Sequence, residues 1–145
     1  MRELTSGEAY KLSECLKALA EHHNTMSVYF KGQYPKKPYS DTLVSFEADI
    51  KSGISRIAVV ENDEKILGFC KVDITGSEGK IDYLIVLEEA RGSGHGKALI
   101  DWAMGVFRDS GVTKIEVKVA DGNDAIYFYE KQGFKPNAHI LRIDM

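Results

Sequence analysis

The sequence lacks the features that mark nucleic-acid-binding or membrane-spanning proteins. Its 145 residues carry a net charge of only −3 with scattered lysines and arginines, so no basic face is available for a nucleic-acid backbone. No apolar run approaches the roughly 18 residues that a membrane span requires, and the first five residues lack the apolar core of a signal peptide. We therefore expect neither nucleic acid nor membrane among its partners.

Cysteine is also scarce. The two cysteines, Cys15 and Cys70, lie in different predicted elements and lack the spacing of metal ligands. Free cysteine usually behaves as a small, buried hydrophobic residue. The sequence therefore predicts no metal site and a reduced, cytoplasmic protein.

The remaining composition is ordinary for a soluble globular protein, with 43% hydrophobic and 28% charged residues. A chain of 145 residues is long enough to bury one substantial core. The sequence contains no internal repeat, low-complexity tract or linker. We expect residues 1–145 to form a single domain.

The most informative segment is a glycine-rich loop that consists of Arg91, Gly92, Ser93, Gly94, His95, Gly96 and Lys97. A hydrophobic run ends just before this loop, and a helical pattern begins inside it near Gly94. Glycines at alternate positions let several N–H groups reach one anion, and a helix N-terminus adds unpaired amides and a positive dipole end. The pattern predicts a phosphate cradle; an ordinary strand-to-helix turn is the alternative.

Two common phosphate-binding motifs do not fit this loop. A Walker A motif requires glycine where Arg91 stands and serine or threonine where Ala98 stands. A dinucleotide fingerprint requires glycine in place of Leu99. A nucleotide-binding protein is therefore a remote interpretation.

The spacing that does fit is Arg-x-x-Gly-x-Gly, carried by Arg91, Gly94 and Gly96, and it resembles the acetyl-CoA pyrophosphate motif of the GNAT superfamily of N-acetyltransferases. A second block at residues 125–134, Ala-Ile-Tyr-Phe-Tyr-Glu-Lys-Gln-Gly-Phe, resembles the helix-and-turn signature of the same family. One position departs from the family pattern: Gly122 stands where an asparagine is common, and Asn123 is displaced by one residue. Asn123 can still cap the helix that follows.

Hydrophobic periodicity predicts the order of the elements. Helices are expected from a capping box at residues 5–8 to about residue 21, from about 40 to 53, from about 94 to 110 and from about 123 to 132. Strands are expected at 54–61, 65–74, 80–87 and around 115–119, with a short edge strand at 1–4 and a closing strand at 139–144. Residues 22–39 read as a long loop.

This order matches the GNAT fold, so the resemblance implies a mixed α/β architecture. Its central sheet would be twisted and mostly antiparallel, with six to seven strands, about four helices and a splay between the fourth and fifth strands. In that family the exposed backbone of the fourth strand binds the pantetheine arm of acetyl-CoA by strand addition. The residues implied here are Leu84, Ile85 and Val86, which with residues 91–97 and Asn123 form the expected acetyl-CoA site.

The resemblance also implies acetyl transfer to an amine by direct attack, which requires one group to take a proton from the amine and another to give one to the departing thiolate. Tyr129 occupies the position of the family's general acid, although a tyrosine in so apolar a helix can equally be a core residue. We expect Asp82 to be the base, because it shares strand parity with Leu84 and Val86; an Asp that faces solvent or pairs with a lysine is the alternative.

Three further residues are candidates for the base. His22 and His23 follow the first predicted helix, where related folds build the acceptor site, and an ordinary histidine has a pKa near 6.5. Glu21 lies beside them, and a water molecule can also act. Exposed histidines at a fraying helix end are the alternative.

The leading hypothesis is an acetyl-CoA-dependent N-acetyltransferase that acts on a primary amine of a small molecule, peptide or protein. The alternative is a non-catalytic acyl-CoA-binding or sensing module with the same fold. The resemblance further implies acetyl-CoA as the only cofactor, used as acetyl donor, and a homodimer as one possible assembly.

Overall fold

The computed structural model describes residues 1–63 and 65–145, and its elements largely follow the expected order. The strands are β1 (Arg2–Glu3), β2 (Ser55–Glu61), β3 (Ile66–Thr75), β4 (Glu78–Val86) and β5 (Lys114–Val117). The helices are α1 (Ser13–Met26), α2 (Tyr39–Ser52), α3 (His95–Asp109) and α4 (Ala125–Lys131). Short 3-10 helices at Ala9–Leu12 and Glu88–Ala90 precede α1 and α3.

The strands form one mixed sheet in the order β1-β2-β3-β4-β5. The first four strands pair antiparallel, whereas β5 pairs parallel with β4. The pairing of β4 with β5 runs only from Glu78 to Ile81, so the second half of β4 extends beyond its partner. The described residues therefore contain five strands instead of the expected six to seven, and three of their four pairings are antiparallel while one is parallel.

Helices cover both faces of the sheet, because the strands alternate their apolar side chains between the two faces. On one face α1 and α2 pack on β2 to β4, with Phe46 and Phe69 in the cluster. On the other face α3 and α4 pack on the same strands, with Leu99 and Phe107 in the cluster. No helix in the described ranges combines the length and apolar character needed to cross a membrane.

Helix α1 begins and ends later than the sequence indicates. A 3-10 helix at Ala9–Leu12 separates the expected capping box from the start of α1 at Ser13. Glu8 accepts a hydrogen bond from the Thr5 N–H group at 2.9 Å, which is half of the expected capping box. Helix α1 then continues to Met26 instead of ending near residue 21. The start of the loop expected at residues 22–39 is therefore helical.

The closing strand expected at residues 139–144 is wrong. Residues 135–145 are exposed and have no regular secondary structure. The Arg142 guanidinium lies 4.4 Å from the centre of the Phe30 ring and donates to Gln33 Oε1 at 2.7 Å. These contacts hold the C-terminal segment against the loop before α2, away from the sheet.

Candidate functional site

The predicted phosphate cradle joins β4 to α3. Gly92 and Gly94 have φ angles of +84° and +83°, in the left-handed region that glycine adopts without strain. The amide N–H groups of residues 92–97 donate no backbone hydrogen bond within the described residues, and the next amide, that of Ala98, donates to the Gly94 carbonyl at 3.0 Å. Six consecutive unpaired donors at the start of a 15-residue helix have the chemistry of a phosphate site.

A cavity of about 500 Å³, here called the first cavity, opens beside these amides. It brings together nearly all of the residues expected to bind acetyl-CoA. These are Leu84, Ile85, Val86, Arg91, Gly92, Gly94, His95, Gly96, Lys97 and Asn123. Leu19 and His22 from α1 and Phe128 from α4 also line it, whereas the predicted residues Ser93, Asp82 and Tyr129 are not among the described residues that do.

The two cations of the cradle have partners that the sequence did not reveal. Arg91 folds back, and its Nε donates to the Val86 carbonyl at 3.0 Å. Lys97 forms an ion pair with Asp101, one turn further along α3. Both contacts are solvent-exposed and therefore weak, so both side chains can exchange them for a bound anion.

Tyr129 is held in the core by its aromatic neighbours. Its side chain is only 7% exposed, and its ring meets Phe128 and Phe134 edge-on at centroid distances of 5.5 and 5.7 Å. Burial, with a smaller contribution from Cys70, raises the pKa of Tyr129 well above its usual value, so the hydroxyl stays protonated. Within the described part of the chain this hydroxyl makes no hydrogen bond, which leaves it free to donate to another molecule.

A β-bulge changes the expected orientation of Asp82. Lys71 pairs with Tyr83 and Val72 with Ile81, so Asp82 is an extra residue in β4. Because the bulge breaks the alternation, Asp82 binds Lys71 on the α2 face, whereas Leu84 and Val86 pack with the α3 and α4 cluster. The strand parity inferred from the sequence is therefore wrong.

Lys71 is the centre of a buried ionic cluster that sequence reasoning missed. Its side chain is 1% exposed, and its Nζ lies 3.2, 2.8 and 2.7 Å from the carboxylates of Asp49, Asp73 and Asp82. Lys80 adds a second ion pair to Asp82 at 3.2 Å. The signal in the sequence was a lysine between apolar residues in β3, two positions before Asp73.

The cluster sets the protonation of its members. Burial alone would raise the pKa of Asp82, but the hydrogen bond and charge of Lys71, with the charge of Lys80, outweigh it and hold this pKa below its usual value. Burial alone would lower the pKa of Lys71, but its bonds to Asp73 and Asp82 raise it. Asp82 is therefore a carboxylate and Lys71 an ammonium group at neutral pH.

A second cavity, of about 610 Å³, lies between α1 and the Glu88–Ala90 turn. It shares two lining residues with the first cavity, His22 and Arg91. Glu21 also lines it, so this candidate base faces the second cavity. The ring of His23 instead packs edge-on against Tyr34 at 4.8 Å, and burial, His22 and Lys36 lower the pKa of His23.

The loop between β5 and α4 clamps the end of α1 onto the site. The Asp121 carboxylate accepts hydrogen bonds from the Ser27 hydroxyl and from the N–H groups of Val28 and Tyr29, at 2.7 to 3.0 Å. Gly122 has φ +73°, and a Cβ atom built on it would lie 2.0 Å from the Met26 carbonyl oxygen. This close backbone approach positions α1, and with it His22, over the first cavity.

We predict that Gly122→Ala destabilises the protein by about 2 kcal/mol, because alanine adds both left-handed strain and a clash with backbone. Gly111→Ala is the matched control, since Gly111 has φ +72° but open space around the added Cβ. It should cost only about 1 kcal/mol. Urea unfolding measures the loss of stability in both variants. Equal losses would contradict the close approach of Gly122 to the Met26 carbonyl.

No group of three or more His, Cys, Asp or Glu side chains in residues 1–63 and 65–145 is arranged to hold a metal ion.

Comparison with known proteins assigns a family. A model of the acetyltransferase (GNAT) domain matches residues 53–136, more than half of the chain. The chain belongs to the GNAT acetyltransferase family. The match runs from the start of β2 past the end of α4, so it includes both the cradle and Tyr129. A search of curated protein sequences finds no match.

Three solved structures align along nearly the whole chain. A putative acetyl transferase from Pyrococcus furiosus is 27% identical with a TM-score of 0.71, covering 99% of this chain and 98% of that one. The PaiA N-acetyltransferase from Thermoplasma acidophilum, solved in complex with coenzyme A, is 18% identical with a TM-score of 0.75 over 93% and 91% of the two chains. A ribosomal-protein-alanine N-acetyltransferase from Brucella melitensis biovar Abortus 2308 is 18% identical with a TM-score of 0.69 over 97% of each chain.

Proposed function

We propose that this GNAT protein transfers the acetyl group of acetyl-CoA to a primary amine of a small molecule, peptide or protein. The observation that carries the proposal is the run of six unpaired amides at residues 92–97, which lies beside a cavity lined by the end of β4. Acetyl-CoA presents a diphosphate and an extended amide-containing arm, and these are the groups that such amides and an unpaired strand edge bind. The proposal includes one domain over residues 1–145, a cytoplasmic location and a homodimer.

The chain's own groups suit the donor half of this site. The amides of Gly92 to Lys97 would bind the diphosphate, and the part of β4 beyond β5, at Leu84 and Ile85, would bind the pantetheine amides. The Val86 carbonyl already accepts from Arg91, so Arg91 would have to move before that carbonyl could take part. Asn123 lines the same cavity from the loop before α4.

The chemical step requires proton transfer at two places. The amine nitrogen forms a bond to the acetyl carbon, the bond from that carbon to sulfur breaks, and the amine loses a proton while the thiolate gains one. We assign the donor role to Tyr129, whose hydroxyl is protonated and has no partner in the described residues. Acetyl-CoA supplies the activated acetyl group.

Asp82 stays a predicted base, but the structure gives it a disadvantage. Its carboxylate is bound by Lys71 and Lys80, and these cations hold its pKa below the usual value. A base that must take a proton from an ammonium group works better with a higher proton affinity. A group that has a higher proton affinity than Asp82 is therefore favoured for this role.

Thiol release from acetyl-CoA tests the proposed function. The protein would be incubated with acetyl-CoA and a panel of small primary amines, peptides with free α-amino groups and lysine peptides. We expect turnover with at least one class, and none with the tertiary-amine analogue of the best acceptor, which cannot form a neutral amide. Tight CoA binding without turnover on any amine would instead support a non-catalytic acyl-CoA-binding module.

A further inference from the structure

His22 stands where the two cavities meet. It lines the first cavity beside Leu84 and Asn123, and it lines the second cavity beside Glu21 and Glu88. Among the described residues, only His22 and Arg91 line both cavities. If the acetyl donor fills the first cavity, an acceptor that enters through the second one meets the His22 ring on its way to the donor.

The hydrogen bonds around Asn123 determine which nitrogen of His22 carries the proton. The Asn123 Oδ1 atom accepts from the backbone N–H of Ala125 at 2.9 Å, which fixes the orientation of its amide because a backbone N–H cannot accept. The same oxygen lies 3.4 Å from His22 Nε2. An oxygen can only accept, so Nε2 must be the protonated nitrogen in this contact. In the neutral ring the lone pair is then on Nδ1.

We propose that His22 is the general base of the acetyl transfer, with Nδ1 taking the proton from the acceptor amine and Asn123 holding the ring through Nε2–H. This inference rests on the proposed function and names the residue that performs its unassigned step. At neutral pH less than about 0.1% of an alkylamine is unprotonated, so a group that removes the ammonium proton is needed. The proton moves from the amine nitrogen to His22 Nδ1. The resulting imidazolium still donates its Nε2–H to Asn123 Oδ1.

Charged side chains from four parts of the chain line the two cavities that meet at His22. From the cradle and the start of α3, Arg91, His95 and Lys97 line the first cavity, and Asp124 lines it from the entry to α4. From the turn after β4, Glu88 and Glu89 line the second cavity.

Helix α1 adds its own charged groups to the second cavity, namely Glu14, Lys17 and Glu21. His23 lies next in sequence, with ring centroids 6.4 Å apart, and Asp121 adjoins the loop that carries Asn123. Bound diphosphate would add negative charge on the cradle side. Acidic and basic side chains therefore line both of the cavities that meet at the ring.

The pH dependence of kcat at saturating acetyl-CoA and amine tests this assignment, because kcat reports the groups that ionise in the enzyme–substrate complex. His22→Gln should lower kcat about 100-fold and abolish the fall of kcat on the acid side of the profile. Asn123→Asp can still cap α4 but places a carboxylate beside Nε2–H, which favours the protonated ring. We expect it to move the acid-side midpoint up by about one pH unit.

His139→Gln is the matched control, since this histidine is exposed in the C-terminal segment, and it should leave kcat and its profile unchanged. Two results would overturn the base assignment alone, provided that the wild-type enzyme turns over. One is a fall of kcat at low pH that persists in His22→Gln, and the other is an acid-side midpoint that does not move in Asn123→Asp. Absence of turnover by the wild type would overturn the proposed function, and the base with it.

A readout without catalysis checks the hydrogen-bond argument. The protonated and unprotonated nitrogens of a neutral imidazole differ widely in ¹⁵N chemical shift, and the His22 signals are identified by their loss in His22→Gln. We expect the Nε2–H form to predominate in the free protein above the titration of the ring. Predominance of the Nδ1–H form would overturn the assignment of Nδ1 as the proton acceptor.

Discussion

Lys71→Met is expected to lower the free energy of unfolding by about 4 kcal/mol, because removal of one partner from a buried ionic cluster leaves the others uncompensated. The Lys71 side chain is 1% exposed and binds three carboxylates, of which those of Asp73 and Asp82 are only 20% and 21% exposed. Methionine has a similar shape but supplies no charge. Urea unfolding at neutral pH and low salt measures the loss.

Lys80→Met is the matched control for this prediction. Lys80 binds the same Asp82 carboxylate at 3.2 Å, but its side chain is 47% exposed, so solvent screens the pair. Its removal should cost no more than about 0.5 kcal/mol. Similar losses in the two variants would show that the cluster is not effectively buried.

The pH dependence of the Lys71→Met effect has a definite sign. The pKa of Asp82 is lower in the folded protein than its usual value, so its contribution to stability is present above the unfolded pKa of about 3.9 and is lost as the pH falls through the folded value. In the variant the unpaired carboxylates gain protons more easily on folding. The difference in the free energy of unfolding between wild type and variant should therefore have its full size at pH 7 and become smaller below about pH 4.

Tyr129→Phe is expected to lower kcat about 100-fold, because it removes the proposed proton donor to the departing thiolate. The affinity for CoA should change little, because the main groups proposed to bind CoA, the amides of residues 92–97 and the end of β4, are unaltered. Stability should also be retained: phenylalanine fills the same space between Phe128 and Phe134, and the hydroxyl makes no hydrogen bond in the described residues.

Tyr127→Phe provides the control on the same helix. Tyr127 is 65% exposed, so loss of its hydroxyl should change neither kcat nor stability. Steady-state rates at saturating acetyl-CoA and amine measure both variants. A Tyr129→Phe enzyme within twofold of the wild-type rate would remove Tyr129 from the mechanism.

Local sequence patterns predicted most of the elements and the cradle. The alternation in β2 to β4, the left-handed terminator Gly53 after α2 and the start of α3 after Gly94 all depend on residues close together in the chain. Apart from Asn123, the predicted cofactor residues came from one loop and the strand before it. Because these residues are neighbours in the chain, their meeting in one cavity depends little on the rest of the fold.

Features that depend on distant residues were missed. Helix α1 continues past residue 21 while Asp121 and Gly122, almost 100 positions away, clamp its end. The bulge at Asp82 cannot be read from alternation alone, because one extra residue reverses the facing of every residue after it. The C-terminal residues alternate like a strand, yet Arg142 binds Phe30 and Gln33 instead.

The proposal that unpaired amides at residues 92–97 bind a diphosphate is tested most directly by calorimetry with two ligands on the unmodified protein. CoA carries the diphosphate and the pantetheine arm, whereas pantetheine carries the arm alone. We predict that CoA binds at least about 100-fold more tightly than pantetheine, because charge-assisted hydrogen bonds to the diphosphate supply most of the difference. Equal affinities for the two ligands, or no heat with CoA at millimolar concentration, would contradict this account.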